Sequence, residues 1–127
     1  MHFFRFIILP FILIFLIGCV TATGTYILIG EARTAINPDD VQIYLEPPSQ
    51  FELIGLVEAS CEVGSTRQKA QDMVMDELKK QAAKIGANGV ILINTESSSS
   101  GGVFVYNVYV ANEIITTRGQ AIYVNRN

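Results

Sequence analysis

A small α+β fold, in which one amphipathic helix packs on a mixed β-sheet, is predicted by three observations on this chain. Between residues 65 and 86, apolar side chains recur at three- and four-residue spacing, which places them on one face of a helix. On either side of that stretch, short apolar segments bounded by turn residues carry the two-residue period or continuous apolar run of strands. The order strand, capped helix, short Gly86-Ala87-Asn88-Gly89 loop, strand then makes a βαβ unit from Phe51 to Thr95, whose crossover is expected to be right-handed.

Along the chain, Asn37-Pro38-Asp39-Asp40 is a turn signal. Val41, Ile43 and Leu45 alternate with Gln42, Tyr44 and Glu46 and read as a half-buried strand, closed by Pro47-Pro48, which cannot donate to a ladder. Phe51 to Ala59 carries Leu53-Ile54 and Leu56-Val57 around Gly55, a second strand with a bulge at the glycine. The helix opens at Ser65, with Gln68 three residues on in capping-box spacing. Its apolar stripe is Ala70, Met73, Val74, Leu78, Ala82 and Ile85. Asp76 and Lys80 can pair at i, i+4. Lys79, Lys80 and Lys84 gather at the C-terminal end, where cations complement the dipole.

The turn after the helix has a physical account of its own. Gly86 suits the left-handed cap, Asn88 tolerates the same region, and Gly89 permits a tight entry into the next strand. An anion nest in these amides is disfavoured, because they lie at the end of the helix whose dipole repels anions. Val90 to Ile93 is a continuous apolar run, as in a strand buried on both faces. Ser97 to Gly102 reads as a polar loop. Val103 to Val110 reads as a strand apolar on both sides, which must be covered by this chain or another. Arg118-Gly119 reads as a turn, and Ala121 to Val124 as a last strand.

The N-terminus carries a different signal. Arg5 and the terminal amine precede an uncharged apolar run from Phe6, broken by Pro10 and ending in Leu16-Ile17-Gly18-Cys19. That layout is expected to be a secretory signal over residues 1–18, and its end resembles a bacterial lipobox, which implies that Cys19 is lipidated and becomes the first residue of the mature chain. The run from Phe6 to Val20 is shorter than the ~18–20 residues that cross the hydrocarbon core, which argues against an uncleaved spanning anchor. A covalent lipid on Cys19 is the group expected, with no other cofactor. Several acyl chains, each adding ~0.8 kcal/mol per buried CH₂, hold a protein where one chain cannot. Val20 follows in place of the Asp that resembles an inner-membrane retention signal in Gram-negative lipoproteins, and by that resemblance the outer membrane is expected. Residues 19–40 are then a lipidated lead-in, and residues 41–127 the domain. Val20 to Ile36 is too apolar for a free tether and is expected partly extended and docked on the domain.

Composition excludes several functions. Removing residues 1–18 leaves 109 residues, one domain in size, with eight Lys and Arg against twelve Asp and Glu. A mildly acidic surface without a basic cluster argues against nucleic acid. His2 is the only histidine, so the mature chain has neither a Ser-His or Cys-His pair nor a histidine metal ligand. Asp72 and Asp76 share a helix face as a solvated pair. Asp39, Asp40 and Glu46 are too scattered to favour a metal site. Neither catalytic nor metal-binding residues are predicted, and the chain is read as not an enzyme. Cys61, the cysteine left once Cys19 is acylated, is a free thiol: either a small buried residue at a strand end or one available for an intermolecular disulfide.

Three segments together resemble the domain of RcsF-like and YbjQ-like proteins: Val41-Gln42-Ile43-Tyr44-Leu45 with Pro47-Pro48, Ile54-Gly55-Leu56-Val57-Glu58, and Ala82-Ala83-Lys84-Ile85-Gly86-Ala87-Asn88-Gly89-Val90. The match spans about residues 41–124 and is strongest over Lys79–Leu92. The resemblance implies an outer-membrane lipoprotein that reports envelope stress by contacting other envelope proteins. The YbjQ-like side of it implies a self-assembling ring or dimer that binds without catalysis. The chain departs from the RcsF-like pattern in two places. Paired cysteines hold those domains, whereas here only Cys61 stands at a matching place, with Thr95 where a partner would be. The long Pro-rich tether of that group is replaced by an apolar lead-in. The function expected is therefore that of a membrane-anchored envelope lipoprotein working by protein contact, with homo-oligomerisation as the alternative.

Overall fold

The structure, a computed structural model, describes residues 21–64 and 66–126. Five strands and one long helix follow in chain order: β1 (Thr23–Leu28), a 3-10 turn (Pro38–Asp40), β2 (Gln42–Tyr44), β3 (Glu52–Glu62), α1 (Arg67–Lys84), β4 (Gly89–Val105) and β5 (Val108–Tyr123). The sheet order is β1-β3-β5-β4-β2. β2 runs parallel to β4, while every other neighbouring pair is antiparallel. This is the mixed sheet with one packed helix that the patterning predicts. Its βαβ unit is split: β5 lies between β3 and β4, so the two strands joined by the helix run the same way without touching.

The apolar stripe makes the core. Ala70, Val74, Leu78, Ala82 and Ala83 of α1 meet Ile54, Val57, Ala59 and Cys61 of β3, Val90 of β4, and Ile115 and Ala121 of β5, all buried. Met73 is only partly buried at the margin. The helix cap at the N-terminus belongs to Thr66, whose hydroxyl accepts from Lys69 N–H at 3.2 Å; the expected Ser65 lies outside the described residues. Gln68 does not complete a capping box but donates to Asp72 at 2.9 Å. Lys80 approaches Glu77 at 4.0 Å rather than Asp76. At the other end, Ala87 N–H bonds Ala82 C=O at 3.0 Å and Gly86 N–H bonds Ala83 C=O at 3.1 Å, a Schellman motif with Gly86 at φ 76°.

Residues 21–36 belong to the folded unit. β1 pairs with β3 from Thr23↔Ser60 to Leu28↔Gly55. The chain then crosses the C-terminal end of the helix, where Arg33 N–H bonds Ile85 C=O at 2.9 Å and Ile36 N–H bonds Ala83 C=O at 3.1 Å. Arg33 thereby occupies a carbonyl that the helix end otherwise leaves unsatisfied, and Ile36 adds a second donor to the Ala83 carbonyl already bonded by Gly86. The lead-in is docked as expected, and its docking is a strand and a helix cap.

Five further expectations are corrected. Ser97–Gly102 is not a loop: β4 runs through it, paired with β5, with an irregularity between Ser99 and Gly102. Val103–Val110 is not one strand but the end of a hairpin turning at Tyr106-Asn107, both at positive φ (50° and 63°) as a two-residue type I′ turn requires. Arg118-Gly119 is not a turn but lies inside β5, between β3 and β4. A Cβ on Gly119 would collide with Val90 Cγ1, so close strand packing selects the glycine. Val90–Ile93 is covered on both faces only at its start: Val90 and Ile91 are buried, whereas Ile93, beyond the last β2 pair at Tyr44↔Ile91, is 57% exposed. Leu45, expected in the strand, is 81% exposed beyond the end of β2. The irregular pairing at Leu53/Gly55 is the expected bulge.

Candidate interaction surface

The two faces of the sheet differ by register. Side chains that alternate with the core positions point away from α1: Thr25 and Ile27 on β1, Leu56 and Glu58 on β3, and Arg118 on β5. With Ile93 of β4 they line an open depression of about 230 Å³. Ile27 is 64% exposed, so its apolar surface is offered to solvent. Arg118 stands at the centre. Its Nε donates to Glu58 Oε2 at 2.6 Å and its second guanidinium nitrogen lies 3.1 Å from Glu96 Oε1. The hydrogen bond that Arg118 donates to Glu58, then that to Glu96, raises its pKa above the ordinary value, so the group remains a cation. Both carboxylates and the guanidinium are roughly half exposed. The triad is a hydrated polar centre ringed by aliphatic side chains, suited to complementary contact with another surface.

A second cluster lies at the helix C-terminal end. Arg33 donates to Glu52 Oε2 at 2.6 Å, and its guanidinium lies 3.7 Å from the centroid of the Tyr123 ring. The bond to Glu52 raises the Arg33 pKa, opposed by desolvation. Stacking and ion pairing together hold the lead-in against β3 and β5.

The residues singled out in the sequence are not brought together. Gly86 and Gly89 are structural. A Cβ on Gly86 would strike Arg33, and one on Gly89 would come within 2.7 Å of Tyr44 Cε2. Asn88 does not take left-handed backbone. It clasps the end of β5 instead, donating to Val124 C=O at 2.7 Å and accepting from Val124 N–H at 2.7 Å. Cys61 is buried and free. Its thiol donates to Glu62 C=O at 3.3 Å, and burial, with Glu62 adding to it, pushes its pKa up. A raised pKa depletes the thiolate, the reactive form. Cys19 lies outside the described residues. Among the described residues, no group of three or more His, Cys, Asp or Glu is placed to hold a metal ion, and no helix is long and apolar enough to cross a membrane.

Sequence reasoning missed Arg118 because Arg-Gly reads as a turn. The available signal was the period-2 pattern of Thr116, Arg118 and Gln120 against Thr117, Gly119 and Ala121, in which the small residues mark a tightly packed inner face.

No protein-family model matches the chain, and neither does any curated protein. Among solved structures, the chain is similar to the crystal structure of a Francisella virulence factor FvfA in the orthorhombic form. The TM-score is 0.54 and the identity 23%, over 79% of this chain and 96% of that one. At that identity the likeness concerns the fold.

Proposed function

We propose that this protein is a lipid-anchored lipoprotein of the bacterial cell envelope, facing the periplasm, that works by contact with other envelope proteins as an accessory or stress-reporting factor. The observation that carries the reading is the lipobox Leu16-Ile17-Gly18-Cys19, placed four residues ahead of the first strand of a folded domain. The resemblance to RcsF-like domains supports the same location. Contact falls to the uncovered face of the sheet, where Ile27, Leu56 and Ile93 surround Arg118.

Two measurements test this. Metabolic labelling with a fatty-acid analogue should mark the wild type and not Cys19→Ala, which should also escape normal processing; an unlabelled wild type would remove the anchor. Crosslinking in the envelope should then capture distinct proteins, and Arg118→Ala should lose them while keeping its melting temperature. Recovery of self-adducts alone would favour the second reading, a self-assembling module. What supports that reading is β1, an edge strand without charge or proline whose Tyr26, Ile27 and Leu28 are exposed, since such an edge is a template for strand addition.

A further inference from the structure

The β4–β5 hairpin outruns the rest of the sheet. β3 follows β5 only as far as Glu62↔Ile114. Beyond that row the two strands continue together from Ser99↔Glu113 to Val105↔Val108 as a ribbon with no third strand among the described residues. The base is tied to the domain by Arg67, 3.0 Å from Glu113, and by Ser97, which donates to the same carboxylate. The ribbon has no polar reason to stand in water. From Ser97 to Asn112 the sequence has no charged residue. At the end, Phe104, Tyr106 and Val108 are 76%, 96% and 62% exposed. An isolated two-stranded hairpin is marginal in water, and exposed aromatic and aliphatic side chains make it more so.

The register decides what the tip meets. Thr23, the first residue of β1, pairs with Ser60; Ser60 pairs with Thr116, and Thr116 with Glu96. The chain therefore enters the sheet at the end from which the ribbon projects. From Glu96 to Val105, β4 extends about 30 Å at ~3.3 Å per residue. From Cys19 to Thr23 the chain can span at most about 14 Å. A domain held by lipid on Cys19 thus carries an arm longer than its tether, pointing toward the surface to which it is tethered.

We infer that the tip of the β4–β5 hairpin, around Phe104, Tyr106 and Val108, inserts shallowly into the bilayer that holds the Cys19 lipid, fixing the orientation of the domain on the membrane. This rests on the anchored reading above. Depth is limited by the open edges of the ribbon, whose backbone groups cannot enter the hydrocarbon unsatisfied. The uncharged end from Val103 to Tyr106 spans about 10 Å, which matches the ~5–10 Å of an interfacial segment. A tyrosine at that level is in the setting it favours, with ring in the lipid and hydroxyl in the headgroups. Tilt of the domain takes up the remaining excess length of the arm.

The test uses full-length lipidated protein in phosphatidylethanolamine–phosphatidylglycerol vesicles, in a Cys61→Ala background. A polarity-sensitive dye is attached to Tyr106→Cys or, as a control on the outer face of the helix, to Asp76→Cys. The expected result is blue-shifted emission from position 106, quenched several-fold more by lipids with a shallow nitroxide than emission from position 76. Equal, weak quenching at both positions, on protein that still floats with the vesicles, would overturn insertion while leaving the anchor standing. Unacylated protein that does not float would overturn both. A disulfide-linked dimer through Tyr106→Cys, with the dye position unquenched, would assign the tip to a second copy and also overturn the inference. Both substituted positions are exposed, and a cooperative melt verifies that each variant is folded.

Discussion

Cys61 pairs in register with Ile115 on the buried face, and its single hydrogen bond runs to a neighbouring carbonyl. A thiol in that setting resists alkylation. Folded protein should react with iodoacetamide much more slowly than urea-unfolded protein at the same pH, and equal rates would show the site to be open. The raised pKa also sets a pH dependence. Because the folded state holds the proton more tightly than the unfolded one, Cys61 contributes stability at pH below the unfolded thiol pKa of about 8.5, and that contribution is lost as pH rises through the folded value. Stability should therefore fall in alkaline solution by a component that Cys61→Ala removes. Thr95, where the RcsF-like resemblance would imply a second cysteine, instead places its hydroxyl 3.0 Å from that of Thr117 across the β4–β5 pair.

For the helix, burial separates positions that helical spacing alone leaves close. Leu78 is fully buried and Asp76 exposed, two residues apart on the same element. Leu78→Ala should lower unfolding free energy by about 2–5 kcal/mol, the range for a large core side chain cut to a methyl, while Asp76→Ala should stay within about ±0.5 kcal/mol. Urea titration measures both, and equal shifts would mean that the packed face is misassigned. In β5, Gly119 gives the complementary case. Gly119→Ala adds a methyl against Val90, so it should destabilise by about 1–3 kcal/mol, as overpacking does. Had the residue served a surface turn, alanine would leave the melt nearly unchanged. The contrast separates a glycine chosen for space from one chosen for φ, such as Gly86.

The molecule as a whole divides at the row Glu62–Ile114–Ser98. On one side lies the helix-covered core; on the other, a ribbon that shares none of it. Replacing residues 100–112 with Asn-Gly, a favoured two-residue hairpin turn, should leave cooperative unfolding and a melting temperature close to that of the parent. A large loss measured by calorimetry would show that the arm supports the core. The lead-in behaves in the opposite way. β1 and the bonds from Arg33 and Ile36 to the helix end make residues 23–36 part of the cooperative unit. A chain anchored at Cys19 would thus hold its domain on a very short leash.

Local chemistry was enough to read α1, its left-handed cap at Gly86, the bulge at Gly55 and the turn at Asn37-Pro38, since each depends on residues within a few positions of one another. The expectation of a lipobox at Leu16-Ile17-Gly18-Cys19 likewise rests on contiguous sequence alone. Strand neighbours were not legible. A two-residue period reads the same whichever strand lies beside it, so the insertion of β5 between β3 and β4, and with it the Arg118 triad with Glu58 and Glu96, arises only from long-range pairing. The serine run passed for a loop because an exposed ribbon needs no apolar alternation to form. The Tyr106-Asn107 turn was hidden because it lacks the usual glycine. Tertiary structure alone set the chain entrance and the hairpin tip at one end of the sheet, because that relation is the product of three strand registers and is written in none of them singly.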